Sequence, residues 1–113
     1  MIAVIFEVWT QPDRRQDYLA IAASLRPELE ATDGFLSIER FSSLSEEGKL
    51  LSLSFWRDEE SVRRWREHED HKKAQRVGRS TIFQDYRLRV VSVLRDYGMN
   101  DRREAPQGSV GGT

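Results

Sequence analysis

The stretch from Ser54 to Arg79, SFWRDEESVRRWREHEDHKKAQRVGR, decides the fold. Its first residues close an apolar strand. Asp58 then offers a side-chain acceptor to the free N–H groups of a helix start, and Glu59 and Glu60 suit the positive end of the helix dipole. The spacing predicts a helix from there to about Arg79, with Gly78 loosening its end. Its apolar positions are few: Val62, Trp65, Ala74 and Val77. This helix carries Trp65 and both histidines, and the other segments read as a frame that holds it over a pocket.

Working outward, Lys49–Trp56 alternates like a strand. Leu51, Leu53 and Phe55 share one face, and Leu50, Ser52, Ser54 and Trp56 share the other. The second set is too polar for an ordinary core and too apolar for bulk water, so it reads as a cavity lining. Phe35–Ser43 is a second strand, joined to the third through the turn Leu44–Gly48 in an antiparallel hairpin. In it Leu36, Ile38 and Arg40 alternate with Phe35, Ser37, Glu39 and Phe41. Ile2–Thr10 is a strand with two largely apolar faces, which expects cover on both sides. Between these, Thr10 or Asp13 is expected to cap a helix running to about Thr32, with Pro12 in its first turn. Pro27 should kink or split that helix, and Gly34 should end it at positive φ. Gln84–Tyr97 reads as a long last strand. Residues 98–113, rich in Gly, Pro and charge, read as a flexible tail after a domain of residues 1–97.

The order strand–helix–strand–strand–helix–strand is the βαββαβ unit, an α+β ferredoxin-like fold with an antiparallel sheet. Its helices cover one face of the sheet. The other face would bare a large apolar patch in a lone subunit, so a C2 homodimer is expected.

Composition narrows the function. The chain has 113 residues, 33% of them charged, and a formal net charge of −1. That balance argues against nucleic acid. The basic residues of the central stretch are interleaved with Glu59, Glu60, Glu67, Glu69 and Asp70, and no aromatic ladder accompanies them. There is no cysteine, hence no disulfide framework and no thiolate site. No window reaches the apolar length of a membrane span, and the N-terminal run has no basic leader, so a cytoplasmic location is expected.

Several motifs together resemble the antibiotic biosynthesis monooxygenase (ABM) family. They are Phe55-Trp56-Arg57 with Asp58-Glu59, then Trp65, His68 and His71, then Ala74 and Gly78-Arg79, and finally Asp85-Tyr86-Arg87 through Arg95-Asp96-Tyr97. The resemblance covers residues 1–97 and implies a dimeric α+β barrel. It places Trp65 where the actinorhodin-type monooxygenases line a pocket for a polycyclic phenol. His71 stands where that branch has a tyrosine. In the heme-degrading branch the iron-binding histidine would fall at Gln75, and a first-strand asparagine at Glu7. Both departures argue against heme.

The expected chemistry is oxidation of a small phenol or hydroquinone by O2, with no prosthetic group and no metal. His71 is the expected proton acceptor, and His68 or Glu7 would orient the substrate. Trp65, Trp56, Ser52, Ser54 and Arg87 are the expected substrate-binding residues. Glu7 has two readings: a carboxylate whose pKa is raised by apolar neighbours, or the partner of Arg40 or Arg89 in an ion pair. A non-catalytic small-molecule binding module is the alternative function, and a heme-binding or heme-degrading protein, with His68 or His71 taking the iron, is the third. His68-x-x-His71 has the spacing of two ligands to one ion. The lysines and arginines around it instead suit a solvated helix face.

Overall fold

The computed structural model describes residues 1–74 and 82–106, with the backbone alone for 70–74. Four strands and two helices follow the expected order: β1 (Ile2–Thr10), α1 (Arg15–Glu30), β2 (Phe35–Ser42), β3 (Lys49–Trp56), α2 (Glu59–Ala74) and β4 (Phe83–Ser92). The sheet order is β2-β3-β1-β4, with every neighbouring pair antiparallel. No helix among the described residues is long and apolar enough to cross a membrane.

Paired residues on adjacent strands share a face, so the register builds the helix-covered face as rows. Ile38–Ser54–Val4–Val90 is one row, Arg40–Ser52–Phe6–Leu88 the next, and Ser42–Leu50–Val8–Tyr86 the third. The core forms two groups on this floor. Val4 and Trp56 pack with Leu29 and Val62, and Val8 and Leu50 pack with Tyr18 and Ile82. The row holding Arg40 and Ser52 lies between them.

The local signals differ from expectation at four points. Asp13 does not cap α1. It takes a left-handed conformation (φ 69°) in the turn, and Arg14 holds the cap position without a side-chain capping bond. Pro27 does not split α1, which runs through it. Only one carbonyl, that of Ala23, loses its i+4 donor there, and Ala23 is exposed to water. A bulge between Phe35 and Ser37 sets Phe35 opposite Trp56, where the two rings meet edge to face at 5.3 Å. Leu36 is left 52% exposed, so the simple alternation expected for β2 begins only after it. β4 ends at Ser92 rather than Tyr97, because its partner strand begins at Ile2, opposite Ser92. Residues 98–106 form turns closed by Gly98 N–H to Asp101 and Ala105 N–H to Arg102.

The start of α2 is firmly fixed. Asp58 Oδ1 accepts from the Ser61 N–H at 2.9 Å and the Ser61 hydroxyl at 2.6 Å. Arg57 reaches Asp33 through two bonds of 3.1 Å and donates its N–H to the Gly34 carbonyl at 2.7 Å. Gly34 has φ +90°, and a Cβ there would stand 1.9 Å from Ser61 Oγ. Ser61 is fully buried, so it has no open side to retreat into. Gly34→Ala is expected to destabilise the fold by about 2–4 kcal/mol, from backbone strain and overpacking together. Urea unfolding measures it; an unchanged midpoint would mean that the α1–β2 turn relaxes at no cost.

Candidate functional site

Between the floor of the sheet and the two helices lies a cavity of about 180 Å³. β3 contributes Ser52, Ser54 and Trp56, and β2 contributes Ile38 and Arg40. On α2, Val62, Trp65, Arg66 and Glu69 recur at helical spacing and close the space from above. Ile21, Leu25 and Leu29 of α1 form an apolar side. At the β4 end, Phe6, Phe83 and Tyr86 make a ring cluster with centroids 5.6–6.2 Å apart. Tyr86 is 57% exposed, which places the mouth there.

The alternation of β3 therefore does what its composition implies: Ser52, Ser54 and Trp56 line the cavity. Trp56 is almost wholly buried, and its indole N–H is satisfied by Ser54 Oγ at 2.9 Å. Trp65 stands between this cavity and a shallow outer groove formed with Glu28, Thr32, Arg64 and His68. His68 belongs to the outer side. Its ring lies against Trp65 at 5.7 Å and its Nε2 is 3.6 Å from Glu28 Oε2. The side chain of His71 and all of Gln75 lie outside the described residues. Among the described residues no group of three His, Asp or Glu side chains is placed to hold a metal ion.

Two expected site residues are elsewhere. Glu7 and Arg87 are register partners on the opposite face of the sheet, because odd-numbered positions of β1 and β4 point away from the helices. Neither reaches the cavity; the rule holds on β4 from Asp85 onward, since a register shift at Trp9/Thr10 turns Phe83 to the covered side. Glu7 sits between Lys49, at 2.6 Å, and Arg89. The hydrogen bond from Lys49, with that from Arg89, holds its carboxyl below the usual range. The raised pKa expected from apolar neighbours is thus corrected, since two cations outweigh burial of a side chain still 20% exposed. Of the ion-pair partners considered, Arg89 is present and Arg40 lies on the other face. Sequence reasoning missed Arg40, Arg66 and Glu69 as cavity residues. The signal for Arg40 was available, in its alternation with Ile38.

The chain belongs to the antibiotic biosynthesis monooxygenase family, whose model matches residues 1–77. It is 50% identical over 101 residues to the jasmonate monooxygenase ABM of Pyricularia oryzae, an alignment covering 89% of this chain and 47% of that protein. The chain spans about half the length of the curated relatives it matches. Among solved structures it resembles PA3566 of Pseudomonas aeruginosa (TM-score 0.69, 16% identity, 82% of this chain and 93% of the other). It also resembles the heme-degrader MhuD of Mycobacterium tuberculosis (TM-score 0.69, 14% identity, 87% and 100%). At these identities the structures confirm the ferredoxin-like α+β fold.

The carboxyls of Glu7, Asp33 and Asp58 all lie below their ordinary values, through Lys49, Arg57 and the Ser61 donors respectively. Groups depressed in the folded state stabilise it above their unfolded pKa, and that stability is lost as pH falls through the folded values. The melting temperature is expected to be level from about pH 5 to 7 and to fall below the ordinary carboxyl range of 3.8–4.5. Glu7→Gln should lower it at pH 7 and make the acid slope shallower. A slope identical to that of the native chain would show that Glu7 contributes nothing to it.

Proposed function

We propose that this chain is a monooxygenase that oxidises a small single-ring phenol or hydroquinone with O2, without a prosthetic group, as a C2 homodimer. The observation that carries the reading is the largely apolar cavity under Trp65, in a chain half identical to a protein named as a monooxygenase. An engineered apolar cavity of about 150 Å³ holds benzene, so 180 Å³ suits one substituted ring. The polycyclic phenol of the actinorhodin-type branch is too large for it. A porphyrin, with four pyrroles, would need several times this room, which speaks against heme degradation here.

A phenolate gives electrons to O2 directly, so the balance needs no external reductant. One oxygen atom becomes the new carbonyl of the quinone. The other leaves as water with the hydrogens of the phenol O–H and the attacked ring C–H. Trp56 and Trp65 wall the ring, and the floor hydroxyls of Ser52 and Ser54 orient its oxygens. The proton acceptor in this reading belongs to α2. Glu69 is within the described lining, and His71 is the imidazole that the sequence offers.

The dimer is supported by the bare face of the sheet. Ile5, Leu51, Leu53 and Phe55 share it with Val91 and Phe41, which are 37% and 41% exposed. Light scattering should give twice the chain mass of 13.2 kDa; the single-chain mass at micromolar concentration would remove the dimer.

Oxygen uptake with phenols, hydroquinones and jasmonate, on chelator-treated protein, tests the chemistry. His71→Ala and Glu69→Gln are assayed separately, and loss of the true acceptor should lower kcat by about 10²-fold or more. The reading is discarded if no compound drives uptake, or if neither variant alters it.

A further inference from the structure

The floor of the cavity has an unexplained feature. The Nε of Arg40 is buried and has no hydrogen-bond partner. Arg40 forms no ion pair among the described residues. A buried N–H of a cationic group left unpaired costs stability, and such groups are ordinarily satisfied. Ser52 stands directly opposite Arg40 on the neighbouring strand. Its hydroxyl also has no side-chain partner among the described residues. Ser54 Oγ already accepts the Trp56 N–H, so its own O–H is left to donate. The floor at the β2 side thus offers donors: the Arg40 guanidinium and two hydroxyls. Across the remaining described lining, Arg66 adds a second positive charge and Glu69 one negative.

We infer that the cavity recognises a carboxylate carried by its single-ring substrate, with Arg40 and Ser52 as the anion-binding pair. The Nε–H and one Nη–H of a guanidinium match the two oxygens of a carboxylate in a side-on fork. Phe6 and Leu88 continue the same row on β1 and β4. Strand spacings of about 4.8 Å put them about 10 and 14 Å from the β2 backbone. A ring against Phe6, joined to its acid group by a chain of a few atoms, spans that interval. The ligand supplies the acceptor that is absent among the described residues. This inference takes the cavity as the substrate site of the proposed oxygenase and adds the chemical class of what enters.

The probes are 3-phenylpropionate and its uncharged isostere 3-phenylpropanamide, titrated calorimetrically into the full chain. The acid is expected to bind about ten-fold or more tightly than the amide, as one charge-assisted pair would give. Arg40→Met should bring the two affinities together, and Ser52→Ala should narrow the gap. Without ligand, Arg40→Met should melt no lower than the native chain, because it removes an unpaired buried donor. Equal binding of acid and amide, binding of neither, or a preference that survives Arg40→Met would each overturn the inference. So would a ligand-free Arg40→Met protein that melts well below the native chain, since Arg40 would then be structural. Binding is read without turnover, which separates the two hypotheses. A protein that prefers the acid through Arg40 but consumes no O2 keeps this site and loses the oxygenase reading. One that oxidises neutral hydroquinones without preferring the acid does the reverse.

Discussion

Two helices cannot close fully over a sheet whose middle row is polar at one end. That constraint shapes the molecule. The rows on either side of Arg40–Ser52–Phe6–Leu88 pack in two groups, one with Leu29 and Val62 and the other with Tyr18 and Ile82. Phe6 and Leu88 join them from the middle row, but its other end does not, because a guanidinium and a hydroxyl gain nothing from an apolar roof. The core therefore settles as two groups with a hollow between them. Replacing Arg40 and Ser52 by leucines would make one continuous core and no site.

The two faces of the sheet put charge to different uses. On the bare face Glu7 is shared by Lys49 and Arg89, and its carboxylate is fully engaged. On the covered face Arg40 has no such counterpart. The satisfied ion pair contributes to the frame, whereas the buried Nε of Arg40 is unpaired among the described residues. The N-terminus of α2 belongs to the first kind. Asp58, Ser61, Arg57 and Asp33 lock the helix that carries Trp65 to the turn before β2, the strand that carries Arg40. The roof and the cationic end of the floor are thereby held in fixed relation.

Much of this could be read in the residues themselves. The switch from period two to helical spacing at Asp58 located α2, and the serines of β3 marked a lining. Those signals are local, which is why they were legible. Glu7 was misassigned for a nonlocal reason. Its face was correctly grouped with Ile5 and Trp9, but only the strand order reveals that this face lies away from the helices. Lys49 and Arg89 come to it from strands on either side. Arg40 was offered as a partner for Glu7, because the strand order that puts the two on opposite faces is not visible in the sequence. Only the cover provided by the helices makes it an interior group. The split expected at Pro27 and the simple alternation expected at Leu36 failed in the same way, since solvent access in one case and pairing with Trp56 in the other decided the outcome.

The hollow has a mechanical consequence. Imperfectly packed space around the cavity is lost when the chain unfolds, so compression favours the unfolded state. A molecule that fills the hollow would cancel part of that loss. Hydrostatic pressure and a molecule that fills the cavity would therefore act on this fold in opposite directions.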